Sequence, residues 1–346
     1  MSRAPVPVHV VTGFLGSGKT TFLNALLQGA GFERTAIIIN EFGETGLDHL
    51  FIEGREDGII ELSNGCLCCT IRGELAQTLA NLPLEHVDRV IVETTGLADP
   101  VPVLQAIIAN PQIASIFEPG SLVTLADALN APQQLAEHAE ARMQAALADL
   151  IIVTKLDMVP GAGREARLAD VTAVLRQHNA TAPVIARQDL ALSPALFDTA
   201  SVLSRQLPHA HGGHHHHHDV NRHGDAIRAI VLTSPRPMPR QAAEMFCELL
   251  TSAHAEHLLR LKGLVDIGSG GPLLLHAVHG VLHEPRQLAQ WPGGERGTRI
   301  VVIARDLDPA FVQKLFAGFA DLAMPDTPDR AALMENPLAI PGYRAR

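Results

Sequence analysis

The stretch GFLGSGKTT, residues 13–21, decides the fold of this chain. It fits the pattern G-x-x-x-x-G-K-[ST], in which a glycine-rich loop binds phosphate groups. An apolar, β-branched run at residues 6–13 leads into it, and an amphipathic run at residues 20–28 follows it. A strand before the loop and a helix after it form the context in which this pattern is specific. The stretch therefore predicts a nucleotide-binding loop rather than a glycine-rich turn without a ligand.

The residue types in this loop match the chemistry of a nucleoside triphosphate. Gly13, Gly16 and Gly18 let backbone N–H groups close around phosphate oxygens. The start of the following helix adds positive potential. We expect Lys19 to reach the β- and γ-phosphates and the hydroxyl of Thr20 to bind Mg²⁺.

The first two hundred residues alternate between apolar runs and helix-like segments such as residues 164–178. Most runs are apolar throughout, which is typical of strands that are covered on both faces. The pattern predicts an α/β domain with a mostly parallel sheet. The predicted strands are residues 6–13, 35–40, 58–62, 89–94, 121–127, 150–155 and 182–187.

The stretch TKLD, residues 154–157, indicates which base is bound. The carboxylate of Asp157 can accept two hydrogen bonds from guanine, whereas adenine offers the wrong edge, so Asp157 would select GTP. Lys155 would lie along the base. The usual GTPase motif begins with asparagine, and Thr154 stands in that position here. An ordinary strand end is the alternative interpretation.

The stretch ETTG, residues 93–96, closes another predicted strand. P-loop proteins place an acidic residue near Mg²⁺ and a glycine near the γ-phosphate at this point, so Glu93 and Gly96 are the candidates. No clear equivalent of the glutamine that orients water in fast GTPases is found, although Glu41 and Glu44 could take part. We therefore expect slow hydrolysis, as in a molecular switch.

Three of the chain's four cysteines lie within NGCLCCT, residues 64–70. Thiolates bind soft or borderline metals such as Zn²⁺. If the segment is extended, Cys66 and Cys68 point the same way, and if it turns, Cys66 and Cys69 converge. A tetrahedral site needs one or two ligands from elsewhere in the chain. Glu41 and His49 are plausible donors, because they lie in the preceding, nucleotide-proximal loop.

Other interpretations of the cysteine segment stay open, namely buried structural cysteines or a redox pair. An incomplete cysteine set fits a site that loads and releases its metal. Cys247 lies in an apolar helical stretch and is most simply a core residue.

A low-complexity segment separates two parts of the chain. Eight of the 18 histidines fall between His209 and His223, and such a tract either binds metal weakly or acts as a solvated spacer. The segment predicts a P-loop domain at residues 1–208, a linker at 209–224 and a smaller α+β domain at 225–346. In the last of these, LLLHAVHGVLHEP (residues 273–285) suggests strands joined by a bend, with structural or interface histidines.

Composition narrows the function classes. The 346 residues are 47% hydrophobic and 18% charged, with a formal net charge of −10. An acidic chain without a basic run is a poor candidate for binding nucleic acid. No apolar stretch approaches the ~20 residues of a membrane helix, and no secretory signal is recognised, so we expect a cytoplasmic protein without membrane contact.

The motifs GFLGSGKTT, NEFGETG, ELSNGCLCCT, ETTGLADP and TKLD occur in this order, before a histidine-rich linker and an α+β domain. Together they resemble the CobW-type metallochaperone GTPases, in which the C-x-C-C signature is specific. The resemblance implies a SIMIBI-type P-loop domain, GTP, Mg²⁺ and a transition-metal site coupled to the nucleotide.

The resemblance also assigns residues. It implies that residues 16–21 hold phosphates and Mg²⁺, so that Ser17 and Thr21 join the loop residues already named. It implies metal ligands at Cys66, Cys68 and Cys69 and places Glu41 in the switch between the two sites. Our candidate catalytic residues are Lys19, Glu41 and Glu93, and our candidate metal ligands, Mg²⁺ included, are Cys66, Cys68, Cys69, Thr20, Glu41 and Glu93.

We therefore expect a GTP-driven metallochaperone that delivers zinc, or cobalt as the runner-up, to a client metalloprotein or metal-insertion machinery. A homodimer that depends on nucleotide is compatible with the sequence. The alternatives are a nucleotide-dependent regulator or assembly factor with a structural metal, and a P-loop kinase, which TKLD disfavours.

Overall fold

The computed structural model describes residues 4–40, 59–62, 70–198, 227–292 and 296–320. The first half of the chain forms a seven-stranded sheet in which every neighbouring pair is parallel. The order is β3-β2-β4-β1-β5-β6-β7, so β1 lies at the centre. The strands are β1 Val6–Gly13, β2 Thr35–Asn40, β3 Ile59–Leu62, β4 Arg89–Thr94, β5 Phe117–Asp127, β6 Leu150–Thr154 and β7 Val184–Ala186.

Helices cover both faces of this sheet. They are α1 Lys19–Leu27, α2 Thr70–Ala80, α3 Val101–Ile108, α4 Pro111–Ala114, α5 Ala131–Glu137, α6 Ala139–Leu147 and α7 Arg164–His178. Successive strand residues belong to different cores, as the period of a strand requires. Ile37 packs with the α1 side chains, whereas Ile38 packs with those of α2 and α3. Burial on both faces explains why the strand sequences are apolar throughout.

The second half of the chain forms a sheet of six strands with antiparallel pairing, in the order β11-β10-β9-β13-β8 with β12 beside β10. Two helices, α8 Arg240–Ala253 and α9 Pro309–Phe319, pack on one face of it. The strands are β8 Ile227–Ser234, β9 Leu258–Val265, β10 Leu273–Val278, β11 Val281–Leu282, β12 Arg286–Gln287 and β13 Thr298–Arg305.

The two sheets share a core. Leu259, Val278, Val301 and Ile303 of the second sheet are buried in the cluster that also holds the first sheet's α3 and α6 side chains. This apolar contact joins the two domains.

A buried ion cluster lies at the same contact. The Asp149 carboxylate accepts hydrogen bonds from Arg260 Nη2 at 2.7 Å, Lys262 Nζ at 2.9 Å and the Leu122 backbone N–H at 2.8 Å. Arg260 Nη1 also donates to the Leu147 carbonyl at 2.7 Å. Burial alone would raise the pKa of Asp149, but the two cations hold it below its ordinary value.

The predicted α/β architecture is confirmed, and each of the seven predicted strands is present. The stretch 273–285 contains β10 and β11 joined at His279 and Gly280, which both have positive φ, and His276 is buried at the domain contact. The linker at 209–224 and the boundaries beside it lie outside the described residues and stay predictions. In the described part of the chain, no helix is both long and apolar enough to cross a membrane.

Candidate nucleotide and metal site

The phosphate loop connects the end of β1 to the start of α1. Gly16 and Gly18 have φ values of 75° and 88°, a conformation that side chains with a Cβ rarely adopt. Gly18 directly precedes the first residue of α1, so the free N–H groups of the helix face the loop. The predicted strand–loop–helix context is present, and its geometry fits a phosphate group.

The side chains of the loop have different environments. Lys19 is half-buried, and its Nζ donates to the Gly13 carbonyl at 2.9 Å, which folds the side chain back over the loop. Thr20 is half-buried in the first turn of α1, and Thr21 is exposed. Ser17 is fully buried, so its side chain lies inside the loop. Lys19, Thr20 and Thr21 are thus reachable from solvent, whereas Ser17 is not.

The loop after β4 lies against the phosphate loop. Glu93 is 7% exposed near the end of β4, and the Thr94 hydroxyl donates to that of Thr12 on β1 at 2.7 Å. A Cβ added at Gly96 would lie 2.7 Å from the Leu15 backbone nitrogen. Only glycine therefore lets the two loops approach this closely. The structure brings Glu93 and Gly96 to the side of the phosphate loop.

The third loop follows β6. The Thr154 hydroxyl donates to the Ser17 carbonyl at 2.7 Å, which joins this loop to the phosphate loop. Lys155 Nζ pairs with the Asp127 carboxylate at 2.9 Å, and Asp157 is exposed. Burial alone would raise the pKa of Asp127, but hydrogen bonds from Lys155, Leu129 and Asn130 hold it below its ordinary value. The buried Asp127 thereby fixes the position of Lys155, two residues before the exposed Asp157.

All three loops leave the carboxyl ends of parallel strands, where open α/β sheets bind their ligands. Residues 7–186 match the nucleotide-binding domain of the CobW/HypB/UreG family, and residues 227–320 match the C-terminal domain of the cobalamin synthesis protein CobW. The chain belongs to the CobW family.

Relatives of CobW type match nearly the whole chain. The zinc chaperone CobW of Sinorhizobium sp. is 31% identical over 350 aligned residues, which cover 90% of this chain and 96% of the relative. The zinc chaperone YjiA of Escherichia coli K12 is 30% identical over 329 aligned residues, with 91% and 98% coverage. The crystal structure of Zn(II)-bound YjiA GTPase from E. coli superimposes with a TM-score of 0.61 at 25% identity, covering 92% of this chain and 99% of that one.

The metal-site prediction for this CobW-family chain rests on the sequence. Cys66, Cys68, Cys69 and Glu41 lie outside the described residues, and so do His49 and the histidine tract. Among the residues that are described, no group of three or more His, Cys, Asp or Glu side chains is arranged to hold a metal ion. Cys247 is buried in the second core, as predicted, and burial raises the pKa of its thiol to about 12. Such a thiol is a poor metal ligand at neutral pH.

Two residues of the site were not found by sequence reasoning. Asp127, which orders Lys155, ends β5, and an acidic residue at the end of an apolar run was a signal that could have identified it. Gln144 on α6 contacts the loop after β4, and no sequence pattern distinguishes it from other polar helix residues.

Proposed function

We propose that this CobW-family protein hydrolyses GTP slowly and carries zinc as its cargo, which it transfers to a client metalloprotein. The zinc cargo extends to this chain what the names of two relatives, both zinc chaperones, say of those proteins, and the GTP hydrolysis extends what is said of the YjiA GTPase. Zinc is the first expectation and cobalt the second, because thiolate-rich sites accept both ions.

One observation carries the proposal, namely the relation of the cysteine motif to the phosphate loop. β3 ends at Leu62 and α2 begins at Thr70, so the sequence places Cys66, Cys68 and Cys69 between a strand end and a helix start. β3 is parallel to the other strands, so its carboxyl end lies at the sheet edge that carries the nucleotide loops. This topology supports the proposal of a metal site beside the nucleotide.

The proposed roles in GTP hydrolysis follow from position. Lys19 stabilises charge on the β- and γ-phosphates, since its Nζ already lies over the loop. Thr20 lies at the start of α1 and Glu93 near the end of β4. Both are proposed to hold Mg²⁺, with Glu93 binding the ion through water. Gly96 contributes its backbone N–H to the γ-phosphate. Glu41 is proposed to link this site to the metal.

The proposed base site consists of the loop after β6. The Asp157 carboxylate is exposed, and it would accept the N–H groups of guanine. Lys155, held by Asp127, covers the base with its aliphatic stem. Thr154 stands where the usual GTPase motif has asparagine, and its hydroxyl anchors the phosphate loop.

Coupling between the two ligands follows from linkage. If GTP with Mg²⁺ favours the loop arrangement that gathers the thiolates, zinc binds more tightly in the GTP state. Zinc then raises the affinity for GTP by the same factor. Hydrolysis to GDP loosens the zinc site and lets the client take the ion.

The test measures zinc affinity by competition with a chelating dye, in the presence of GDP or of a non-hydrolysable GTP analogue. Wild type is compared with the double variant Cys66→Ala/Cys69→Ala, and Cys247→Ala serves as the matched control because that thiol is buried elsewhere. We expect the zinc affinity to be about tenfold or more higher with the GTP analogue than with GDP, a magnitude typical of allosteric coupling. The double variant should lose this difference, and the control should keep it.

Equal zinc affinity in both nucleotide states would refute the chaperone. If a chelator then also unfolded the protein, a regulator with a structural metal would replace it. Light scattering of the GDP and GTP-analogue forms tests the homodimer, which stays a prediction.

A further inference from the structure

Gln144, on α6, contacts the loop that follows β4. Its side chain is 1% exposed, and its Nε2 donates to the carbonyls of Gly96 at 3.1 Å and Ala98 at 3.0 Å. Both acceptors flank Leu97, which is 53% exposed. A single buried amide therefore binds the loop on either side of the exposed Leu97.

The chemistry of the partners fixes the orientation of this amide. Both are carbonyl oxygens, so only the NH₂ group can face them. The opposite atom, Oε1, is buried without a hydrogen-bond partner among the described residues. An unpaired buried acceptor is unfavourable, so an apolar side chain of equal length would serve packing alone better. The two donated bonds are the positive contribution of the glutamine.

The helix that carries Gln144 is itself fixed at two points. The Thr124 hydroxyl on β5 donates to the backbone carbonyl of Gln144 at 2.7 Å. At the end of α6, the Leu147 carbonyl accepts from Arg260 of the second domain at 2.7 Å. Gln144 therefore projects from a helix that is anchored to both sheets.

The loop that it holds has little freedom toward the nucleotide side. Gly96 abuts the Leu15 backbone so closely that a Cβ would not fit, as described above. The Nε2 atom of Gln144 donates a hydrogen bond to the backbone carbonyl of the same glycine. Gly96 is thus confined between the phosphate loop and α6, and small displacements of a positioned group are costly for catalysis.

We propose that Gln144 is a positioning residue for GTP hydrolysis, which fixes Gly96 so that its backbone N–H meets the γ-phosphate. This inference rests on the GTPase activity proposed above. Among the described residues, the hydrogen bonds donated by the Gln144 side chain go to this loop, and GDP lacks the γ-phosphate. Its removal should therefore affect GTP and spare GDP.

The test compares wild type with Gln144→Met, which keeps the length and loses both donors, and Gln144→Glu, which places an acceptor against two carbonyls. Gln133→Met on the neighbouring helix is the control, because Gln133 is exposed. Turnover of GTP, affinity for GDP and for a GTP analogue, and melting temperature are measured for each. We expect Gln144→Met to reduce kcat about tenfold or more and to weaken the analogue, while GDP affinity changes by less than about twofold.

Unchanged kcat and analogue affinity in folded Gln144→Met would overturn the proposal. A parallel fall of GDP affinity, analogue affinity and melting temperature would also overturn it, because that result would indicate a purely structural role. If Gln144→Glu does not fold, Gln144→Met decides alone, since it preserves the volume. Absence of turnover in wild type would refute the GTPase, whereas the ratio of GDP to analogue affinity still reports on Gln144.

Discussion

Replacing Asp149 by asparagine removes the one negative charge described at the centre of the buried ion cluster. The carboxylate is 5% exposed, and the side chains of Arg260 and Lys262 are each 3% exposed. The three hydrogen bonds all end on Oδ2 of the carboxylate, so the amide oxygen of asparagine replaces the acceptor but not the negative charge. The two buried cations would then lose the carboxylate that pairs with both of them at hydrogen-bond distance.

The expected loss of stability is large. Breaking a buried ion pair by removing one partner costs about 3–5 kcal/mol, because the remaining charge is uncompensated. Asparagine keeps one acceptor, so we expect the lower end, about 3 kcal/mol of unfolding free energy. That corresponds to a fall in melting temperature of roughly 6–12 °C for a domain of this size.

The assay is urea denaturation and calorimetry of wild type, Asp149→Asn and Asp170→Asn, the last being an exposed control. The double variant Asp149→Asn/Lys262→Met should be less destabilised than the sum of the single variants, since it removes one unpaired cation. A loss below about 1 kcal/mol in Asp149→Asn would refute the reasoning, because it would show that water reaches the cluster.

Three further outcomes follow from other contacts. Burial lowers the pKa of Lys262 from 10.5 to about 8, so between these pH values the unfolded chain binds more protons. The unfolding free energy of wild type relative to Lys262→Met should thus rise with pH in this window, and this gain should be lost as pH falls through 8. Denaturation at pH 7.5 and at pH 10 measures the difference, and an equal difference at both values would contradict this expectation. Gly96→Ala forces the loop away from Leu15 and should slow GTP turnover ~100-fold with little change in GDP affinity; normal turnover would show that the loop tolerates the shift. Thr154→Val leaves the Ser17 carbonyl without its donor, so calorimetric affinities for GDP and a GTP analogue should fall together by about fivefold or more, and a selective effect on one nucleotide would argue against a loop anchor.

The sequence is sufficient to predict the first sheet because parallel strands are buried on both faces. Runs such as residues 35–40 and 150–155 are apolar throughout and lie between helix-like segments, and each became a strand of the first sheet. The phosphate loop is equally visible, since its glycines and Lys19 are adjacent in the chain. Local patterns are thus enough where the determinants of a structure are local.

The domain contact could not be predicted in the same way. Asp149 meets Arg260 and Lys262 across 111 and 113 residues, and nothing local selects this carboxylate among the other acidic residues of the chain. A partial signal exists, because Arg260 and Lys262 alternate with leucines in β9 and must share one face of the strand. The pattern indicates a charged face, but only the folded structure supplies its partner.

The shared core of Leu259, Val278, Val301 and Ile303 has a consequence for how the chain is held together. The two halves are held together by this buried contact between strands and helices, in addition to the covalent connection of the chain. A protease that severs the segment from 199 to 226 should leave a nicked particle whose fragments co-elute. Changes in the length or histidine content of the segment from 199 to 226 should therefore leave the P-loop domain bound to the second domain.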